Sequence, residues 1–473
     1  MPGFHVENFG CRAARADGEA IGERLRASGQ AAEPGSAADI VIVNTCTVTA
    51  EADRAARAYI RRTHRRNPAA KIVVTGCYAQ RAPQELADLD GVAAVVGNSH
   101  KAFAAEIALA WTGKRLESPA ANAAPLVPLH SLFTRGAGPA PILTDDRFAH
   151  SFLEEAQLVP GQQTRPNLKI QEGCANRCAF CVIPFTRGPS RSLPGATVLN
   201  QVRGFAAAGG NELVLSGINL GRWGHDLEDP ASARRPTLAT LLRRVFSETS
   251  LPRLRLSSVE PMDWDDELIG LLAEFGGARL CRHAHLPLQS GSDAVLRRMH
   301  RRYRPWHYAS KVTALIAAAG PDLTLGADVM IGFPGESDCE FDETMSLVRS
   351  LPLGYLHLFP FSPRPGTPGL TLHASNPVPS AVVQERMAAL RALAAEKMRA
   401  HRSRFIGRPV EAITLNSSPL QRARSATAAI TENFLPAEIE GDLPANRLVR
   451  VMVNGLSADM TLLATAQDWN FCG

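Results

Sequence analysis

Three cysteines stand out by their spacing. The segment Gly173-Cys174-Ala175-Asn176-Arg177-Cys178-Ala179-Phe180-Cys181 gives Cys-x3-Cys-x2-Cys. Thiolates are the usual protein ligands of iron–sulfur clusters. Three of them this close in sequence can hold three corners of a four-iron cube and leave the fourth iron open to a small molecule. A zinc knuckle is the competing reading. Structural zinc asks for four protein ligands, and no fourth Cys or His lies beside these three.

A second set is dispersed: Cys11, Cys46 and Cys77. Each follows an expected strand, namely Phe4–Phe9, Ile40–Val43 and Lys71–Thr75. In an open parallel sheet such points share the carboxyl edge, where ligands bind. The fold rather than the spacing would then gather the thiolates. Gly10 and Gly76 stand directly before two of them and relieve the backbone there. A single buried cysteine is more often a core residue; three at equivalent strand ends are not explained that way. Cys281, Cys339 and Cys472 have no such partners.

The chain supports this cysteine reading. It has 473 residues, 45% hydrophobic and 21% charged, which is ample for several packed domains. No charged start followed by an apolar run opens the sequence, and no stretch of about 18 apolar residues occurs, so a cytoplasmic protein away from the membrane is expected. Cysteines stay reduced there, and nine of them call for metal or catalysis rather than disulfides. The formal charge of +5 is compatible with RNA but does not single it out. Arg54, Arg57, Arg61 and Arg65, with Arg62 and Arg66 beside them, would line one face of a helix over Ala50–Arg66. That face is either a solvated surface or a phosphate-contacting stripe.

The elements that must position these residues form an α/β protein. Residues 1–113 read as an open parallel α/β domain, with a further buried strand at Gly91–Val96. Residues 114–164, rich in Pro, Ala, Gly and Ser, read as a linker. Residues 165–395 carry six βα units, with strands at Leu168–Gln171, Glu212–Leu215, Arg253–Ser257, His283–Pro287, Leu323–Ile331 and Leu356–Phe361. This is a partial (β/α)6 barrel, whose chemistry belongs at the C-terminal ends of its strands. Residues 396–473 alternate short strands and turns, as in a small C-terminal β-barrel.

These motifs together resemble one family, the radical S-adenosylmethionine (SAM) methylthiotransferases. Gly10-Cys11, Val43-Asn44-Thr45-Cys46-Thr47-Val48-Thr49 and Thr75-Gly76-Cys77-Tyr78-Ala79-Gln80 resemble its N-terminal domain. Lys169-Ile170-Gln171-Glu172-Gly173-Cys174, Pro287-Leu288-Gln289-Ser290-Gly291-Ser292-Asp293 and Gly332-Phe333-Pro334-Gly335-Glu336 resemble its radical SAM core, and the C-terminal part resembles a TRAM RNA-binding domain.

The resemblance implies two [4Fe-4S] clusters. Cys174, Cys178 and Cys181 would bind the one that cleaves SAM to a radical. Cys11, Cys46 and Cys77 would bind an auxiliary one that carries the transferred sulfur. Gly209, Gly210, Glu212, Ser216, Ser258, Glu260, Gln289 and Asp328 would form a polar rim that holds SAM. An electron donor such as flavodoxin or ferredoxin is implied, and no DNA partner.

Three branches share the architecture: two modify tRNA adenosines beside the anticodon, and one modifies an aspartate of a ribosomal protein. Thr47-Val48-Thr49 with Ala52-Asp53-Arg54, Leu215 to Gly221, Ser257 to Pro261 and Cys281-Arg282-His283 favour the branch acting on N6-threonylcarbamoyladenosine over the isopentenyl-adenosine branch. The barrel rim, the N-terminal cluster edge and the C-terminal domain are then expected to clamp the anticodon loop. From 398 to 473 there are 8 Arg against 7 Asp plus Glu, so an RNA role there rests on resemblance rather than charge. An iron–sulfur electron carrier would have no use for a barrel of this size.

Overall fold

The computed structural model describes residues 3–110, 140–148, 158, 164–228 and 235–467. Most of the expected linker, 114–164, and Cys472 lie outside the described residues. Two compact units are formed. Described residues of 1–157, 172–191 and 362–367 make the first, and those of 158–171, 192–361 and 368–473 the second. By this division the Cys174–Cys181 loop belongs to the same unit as Cys11, Cys46 and Cys77.

The first unit is built on a six-stranded sheet of order β2-β1-β3-β4-β5-β6. Its strands are β1 (Gly3–Asn8), β2 (Ala31–Ala32), β3 (Ile40–Thr45), β4 (Lys71–Gly76), β5 (Val92–Gly97) and β6 (Ile142–Leu143). Every neighbouring pair is parallel. Ile40, Ile42, Val73 and Val96 pack with Ile21, Leu25 and Ile107 on one face. Val41, Val43, Ile72 and Val74 pack with Ala56, Ile60 and Leu86 on the other. Burial on both faces is why Ile40-Val41-Ile42-Val43 is continuously apolar instead of alternating. The register sets Asn8 beside Asn44 and Asn44 beside Thr75, so β1, β3 and β4 end level and release their cysteines at one edge.

The second unit carries β7 (Asn167–Glu172), β8 (Arg191–Ser192), β9 (Glu212–Gly217), β10 (Arg253–Leu256), β11 (His283–His285), β12 (Thr324–Ile331) and β13 (Tyr355–Pro360). Six of these run parallel in the order β7-β9-β10-β11-β12-β13. The step from β10 to β11 is made by bridges Leu254–Leu280 and Ser258–His285. Leu325, Ala327, Val329 and Ile331 of β12 are fully buried, as befits the side covered by connecting helices. The alternate residues Thr324, Gly326 and Asp328 are small or polar, with the apolar Met330 after them at the strand end, and His283 and His285 lie beside them on β11 and Tyr355 and His357 on β13. One face of this partial barrel is therefore apolar and the other, the lumen side, is polar.

β14 (Pro409–Thr414), β15 (Ala426–Thr431), β16 (Pro436–Glu440), β17 (Leu448–Leu456) and β18 (Leu462–Ala466) close into a barrel of order β14-β15-β16-β18-β17. Ala412, Ile439, Val449, Val451, Val453 and Leu462 fill it. It packs against the N-terminal ends of the partial-barrel strands. Asn446 Nδ2 donates to the Gly209 carbonyl at 2.9 Å, and Arg253 Nη2 donates to Glu411 at 2.8 Å. Arg255 Nη2 donates to the Thr431 carbonyl at 3.1 Å, and Arg408 grips both oxygens of Asp322 at 2.9 and 2.8 Å. Phe434 lies against the His283 ring at 4.3 Å and under the Arg255 guanidinium at 5.2 Å. The small barrel thus forms the floor of the lumen. These contacts fix it at the N-terminal end of the strands, opposite the rim. No helix among the described residues is long and apolar enough to cross a membrane.

Candidate active site

In the first unit all six expected cluster cysteines lie in one compact body. None of the eight cysteines described forms a disulfide. Cys11 is exposed at the start of the helix Arg12–Ala27, and Cys46 and Cys77 are buried. Gly10, at φ +108°, turns the chain beside Cys46, and a Cβ there would lie 2.7 Å from the Cys46 Cβ. Burial, then the neighbouring Cys77 and Cys11, push the Cys46 thiol up to about 12. Left to itself Cys46 is held as the neutral thiol, and binding a metal would displace its proton. The Cys174 N–H donates to the Gly188 carbonyl at 3.1 Å, and the Asn176 N–H donates to the Cys174 sulfur at 3.4 Å. Cys178 and Cys181 are joined by a turn hydrogen bond of 3.1 Å.

A buried ionic network, not anticipated from the sequence, links the two sets. Arg187, in the short helix Ile183–Arg187 that follows Cys181, has its Nε 3.2 Å from the Cys77 sulfur. Its Nη1 donates to Asp17 at 3.1 Å and to Glu172 at 2.6 Å. Lys101 donates to the same two carboxylates. Burial works against the Arg187 charge, but Cys77, Glu172 and Asp17 outweigh it and hold its pKa well above the usual guanidinium range. Asn98 Nδ2 donates to the Cys77 sulfur at 3.4 Å and to the Thr186 carbonyl at 2.8 Å. Arg187 Nη2, Thr75 Oγ1 and Asn98 Oδ1 are buried with no hydrogen-bond partner among the described residues. Of these, Arg187 Nη2 and Thr75 Oγ1 can donate to a thiolate-bound cluster, whereas Asn98 Oδ1 can only accept. The loop after Cys46 is held too: Thr47 Oγ1 donates to Asp53 at 2.6 Å, and Arg81 and Arg364 both donate to Thr47 and Asp53.

Residues 3–97 match the uncharacterized protein family UPF0004, and residues 168–348 match the radical SAM superfamily. The chain is 32% identical to the threonylcarbamoyladenosine tRNA methylthiotransferase MtaB of Aquifex aeolicus, over 94% of this chain and 99% of that one. It is 31% identical to a tRNA-2-methylthio-N(6)-dimethylallyladenosine synthase of Parafrankia sp., over 97% and 85%. The radical SAM methyltransferase TsrM of Kitasatospora setae, solved with cobalamin and a [4Fe-4S] cluster, is similar in fold. Its TM-score is 0.50 at 17% identity, covering 78% of this chain and 77% of that one. The chain belongs to the radical SAM methylthiotransferase family.

In a radical SAM methylthiotransferase, SAM and one [4Fe-4S] cluster come with the superfamily. At the C-terminal strand ends of the second unit, Ser216 Oγ, Ser257 Oγ and Gln289 Oε1 are buried without a partner among the described residues, which suits a polar cofactor. Ser258 is exposed beside them. Glu260 meets Arg301, yet its burial leaves the carboxyl above its ordinary range. Asp328 is engaged by His285 at 3.0 Å and His357 at 3.2 Å.

Gly209, Gly210 and Glu212 are corrected. They lie at the N-terminal end of β9, away from the rim. Gly209, at φ +84°, ends the helix Gly195–Ala207, its N–H bonded to Ala206 and that of Gly210 to Phe205. The Glu212 carboxylate is sealed in the floor by Arg255 at 2.9 Å, Arg165 at 3.4 Å and Arg253 at 3.7 Å. The basic helix face is corrected in one member. Arg57 is half-buried, donates to the Tyr78 hydroxyl and faces Glu85, whereas Arg54, Arg61, Arg62, Arg65 and Arg66 are exposed.

Proposed function

We propose that this enzyme converts N6-threonylcarbamoyladenosine beside the tRNA anticodon to its 2-methylthio derivative. The observation that carries the reading is the near end-to-end similarity to a relative of that name, combined with six cysteines gathered in one unit. Cys174, Cys178 and Cys181 hold the cluster that works on SAM; Cys11, Cys46 and Cys77 hold a second, auxiliary cluster. When bound, these groups supply the electron, the hydrogen-abstracting radical and the sulfur. The chain's own part is to position them. Ser216, Ser258, Glu260 and Gln289 line the SAM pocket, and Arg187 and Asn98 support Cys77 by hydrogen bonds. A ferredoxin or flavodoxin delivers the electron.

Unstacked loop bases are the usual targets of RNA recognition, which suits an adenine beside an anticodon. The test is mass spectrometry of nucleosides from tRNA of a strain lacking the protein. Loss of the 2-methylthio-threonylcarbamoyl nucleoside is expected. Loss of the isopentenyl counterpart instead would move the enzyme to the branch of its dimethylallyl relatives. Loss of only a ribosomal methylthio-aspartate would remove RNA as the substrate.

A further inference from the structure

The lumen wall of the second unit contains a hydrogen-bonded line of side chains that the cluster cysteines and the SAM pocket of Ser216, Ser258, Glu260 and Gln289 leave unused. It crosses three neighbouring strands. His283 Nε2 and His285 Nδ1 both contact the Tyr355 hydroxyl, at 2.8 and 2.9 Å. His285 Nε2 reaches Asp328 Oδ1 at 3.0 Å, and His357 Nδ1 reaches the same oxygen at 3.2 Å. Gly326 makes room for this line, since a Cβ there would lie 2.1 Å from the Tyr355 ring. The line starts on the floor at Phe434 and ends at His357, whose side chain is 64% exposed.

We propose that His285, Asp328 and His357 form the subsite for the N6 substituent of the substrate adenosine, and that this substituent carries a carboxylate. The proposal rests on the threonylcarbamoyl reading above and deepens it. Asp328 is not a SAM contact in this assignment: its Oδ1 is shared between two imidazoles. Burial opposes its ionisation, but the hydrogen bonds from His285 and His357 outweigh it and hold the carboxyl well below the usual range. A carboxylate shared between two imidazoles orients both rings. His357 meets Asp328 through Nδ1, which leaves Nε2 for the substrate; in its cationic form that nitrogen donates to an anion. A substrate carboxylate is the acceptor that matches it. A dimethylallyl group would instead cover three polar groups and offer them no hydrogen bond, which is unfavourable.

Three ligand atoms within 4.8 Å of one another could also close on a divalent metal ion, and that is the competing occupant. The test uses the full-length enzyme and anticodon stem-loop RNAs bearing threonylcarbamoyladenosine, its methyl ester, or isopentenyl-adenosine. Binding is measured without turnover. The native enzyme should prefer the free acid to the ester by about tenfold. His357→Leu should abolish that preference by weakening the acid alone. His357→Gln, which keeps a donor, should restore part of it. If His357→Leu keeps the preference while the native enzyme shows it, the subsite is wrong and the substrate reading stands. If the native enzyme prefers the isopentenyl RNA, the substrate reading fails first. If elemental analysis finds a stoichiometric metal ion that His357→Leu loses, the carboxylate subsite is overturned in favour of a metal site.

Discussion

The Arg187 Nε lies 3.2 Å from the Cys77 sulfur, across 110 positions of sequence. Arg187 sits six residues after Cys181, so one guanidinium ties the segment that follows the Cys174–Cys181 loop to Cys77. With Lys101, Asp17 and Glu172 it makes a buried group of two cations and two anions. Replacing Arg187 by Met leaves one buried negative charge unmatched. Removing one partner of such a pair costs about 3–5 kcal/mol. Arg187→Met should therefore unfold at clearly lower urea concentration as apoprotein and should bind less iron at the Cys11 set. Arg187→Lys should recover part of the stability, because it keeps the charge but not the forked donors. A urea midpoint unchanged in Arg187→Met would show the network to be energetically idle.

Cluster number follows from the two cysteine sets. Anaerobically reconstituted protein should hold about eight irons, as two four-iron cubes. Replacing Cys174, Cys178 and Cys181 by Ala should halve this and abolish reductive SAM cleavage. Replacing Cys11, Cys46 and Cys77 should also halve it, yet leave cleavage intact and remove methylthio product. Full iron content in either triple variant would refute that cluster assignment.

What the sequence made legible follows from what the chemistry demands. A cluster needs thiolates, and Cys is scarce enough that its placement after Gly10, Val43 to Thr45 and Gly76 is informative. The parallel strands were readable because burial on both faces forces runs such as Ile40-Val41-Ile42-Val43. The Arg187 network was not readable. Its partners lie 15 to 170 positions apart, and a charged residue in an Arg-rich chain gives no sign of being buried. Gly209-Gly210-Asn211-Glu212 misled because a helix-ending glycine and a cofactor-holding one look alike in sequence. Only the direction of β9 tells which end of the barrel they occupy.

Glu212 gives a pH prediction. Burial by itself would raise its carboxyl, but Arg255, Arg165 and Arg253 outweigh it and hold it below the ordinary glutamate value. A carboxyl lowered in the folded state stabilises above its unfolded pKa, and that stability is lost as pH falls through the folded one. Glu212→Gln should thus be less stable at pH 7, and its loss of stability on acidification should be shallower than native below about pH 4.5. SAM affinity should be unchanged, measured calorimetrically on the clustered enzyme. A variant that folds normally but loses SAM binding would return Glu212 to the cofactor rim.

The exposed arginines of the helix Ala50–Arg66 give the last prediction. Arg61, Arg62, Arg65 and Arg66 are exposed and form no ion pair with an acidic side chain among the described residues, whereas Arg54 meets Glu51 and Arg57 meets Tyr78 and Glu85. The opposite side of the helix, with Asp53, Ala56, Ile60 and Thr63, is buried, so the arginine side is the one available to a partner. Since the C-terminal barrel is nearly neutral and packs on the lumen floor, this face is the better candidate for phosphate contacts. Each phosphate neutralised by a cation contributes about 0.7–0.9 to the slope of log affinity against log salt. Changing Arg61, Arg65 and Arg66 to Glu should weaken tRNA binding at low salt and flatten that slope by about two to three. Arg57→Glu should act differently: it should lower stability through Tyr78 and Glu85 and leave the slope nearly unchanged. The measurement is tRNA binding at several salt concentrations for both variants. An unaltered slope in the triple variant would make the face a solvated surface and leave the phosphate contacts to be sought elsewhere.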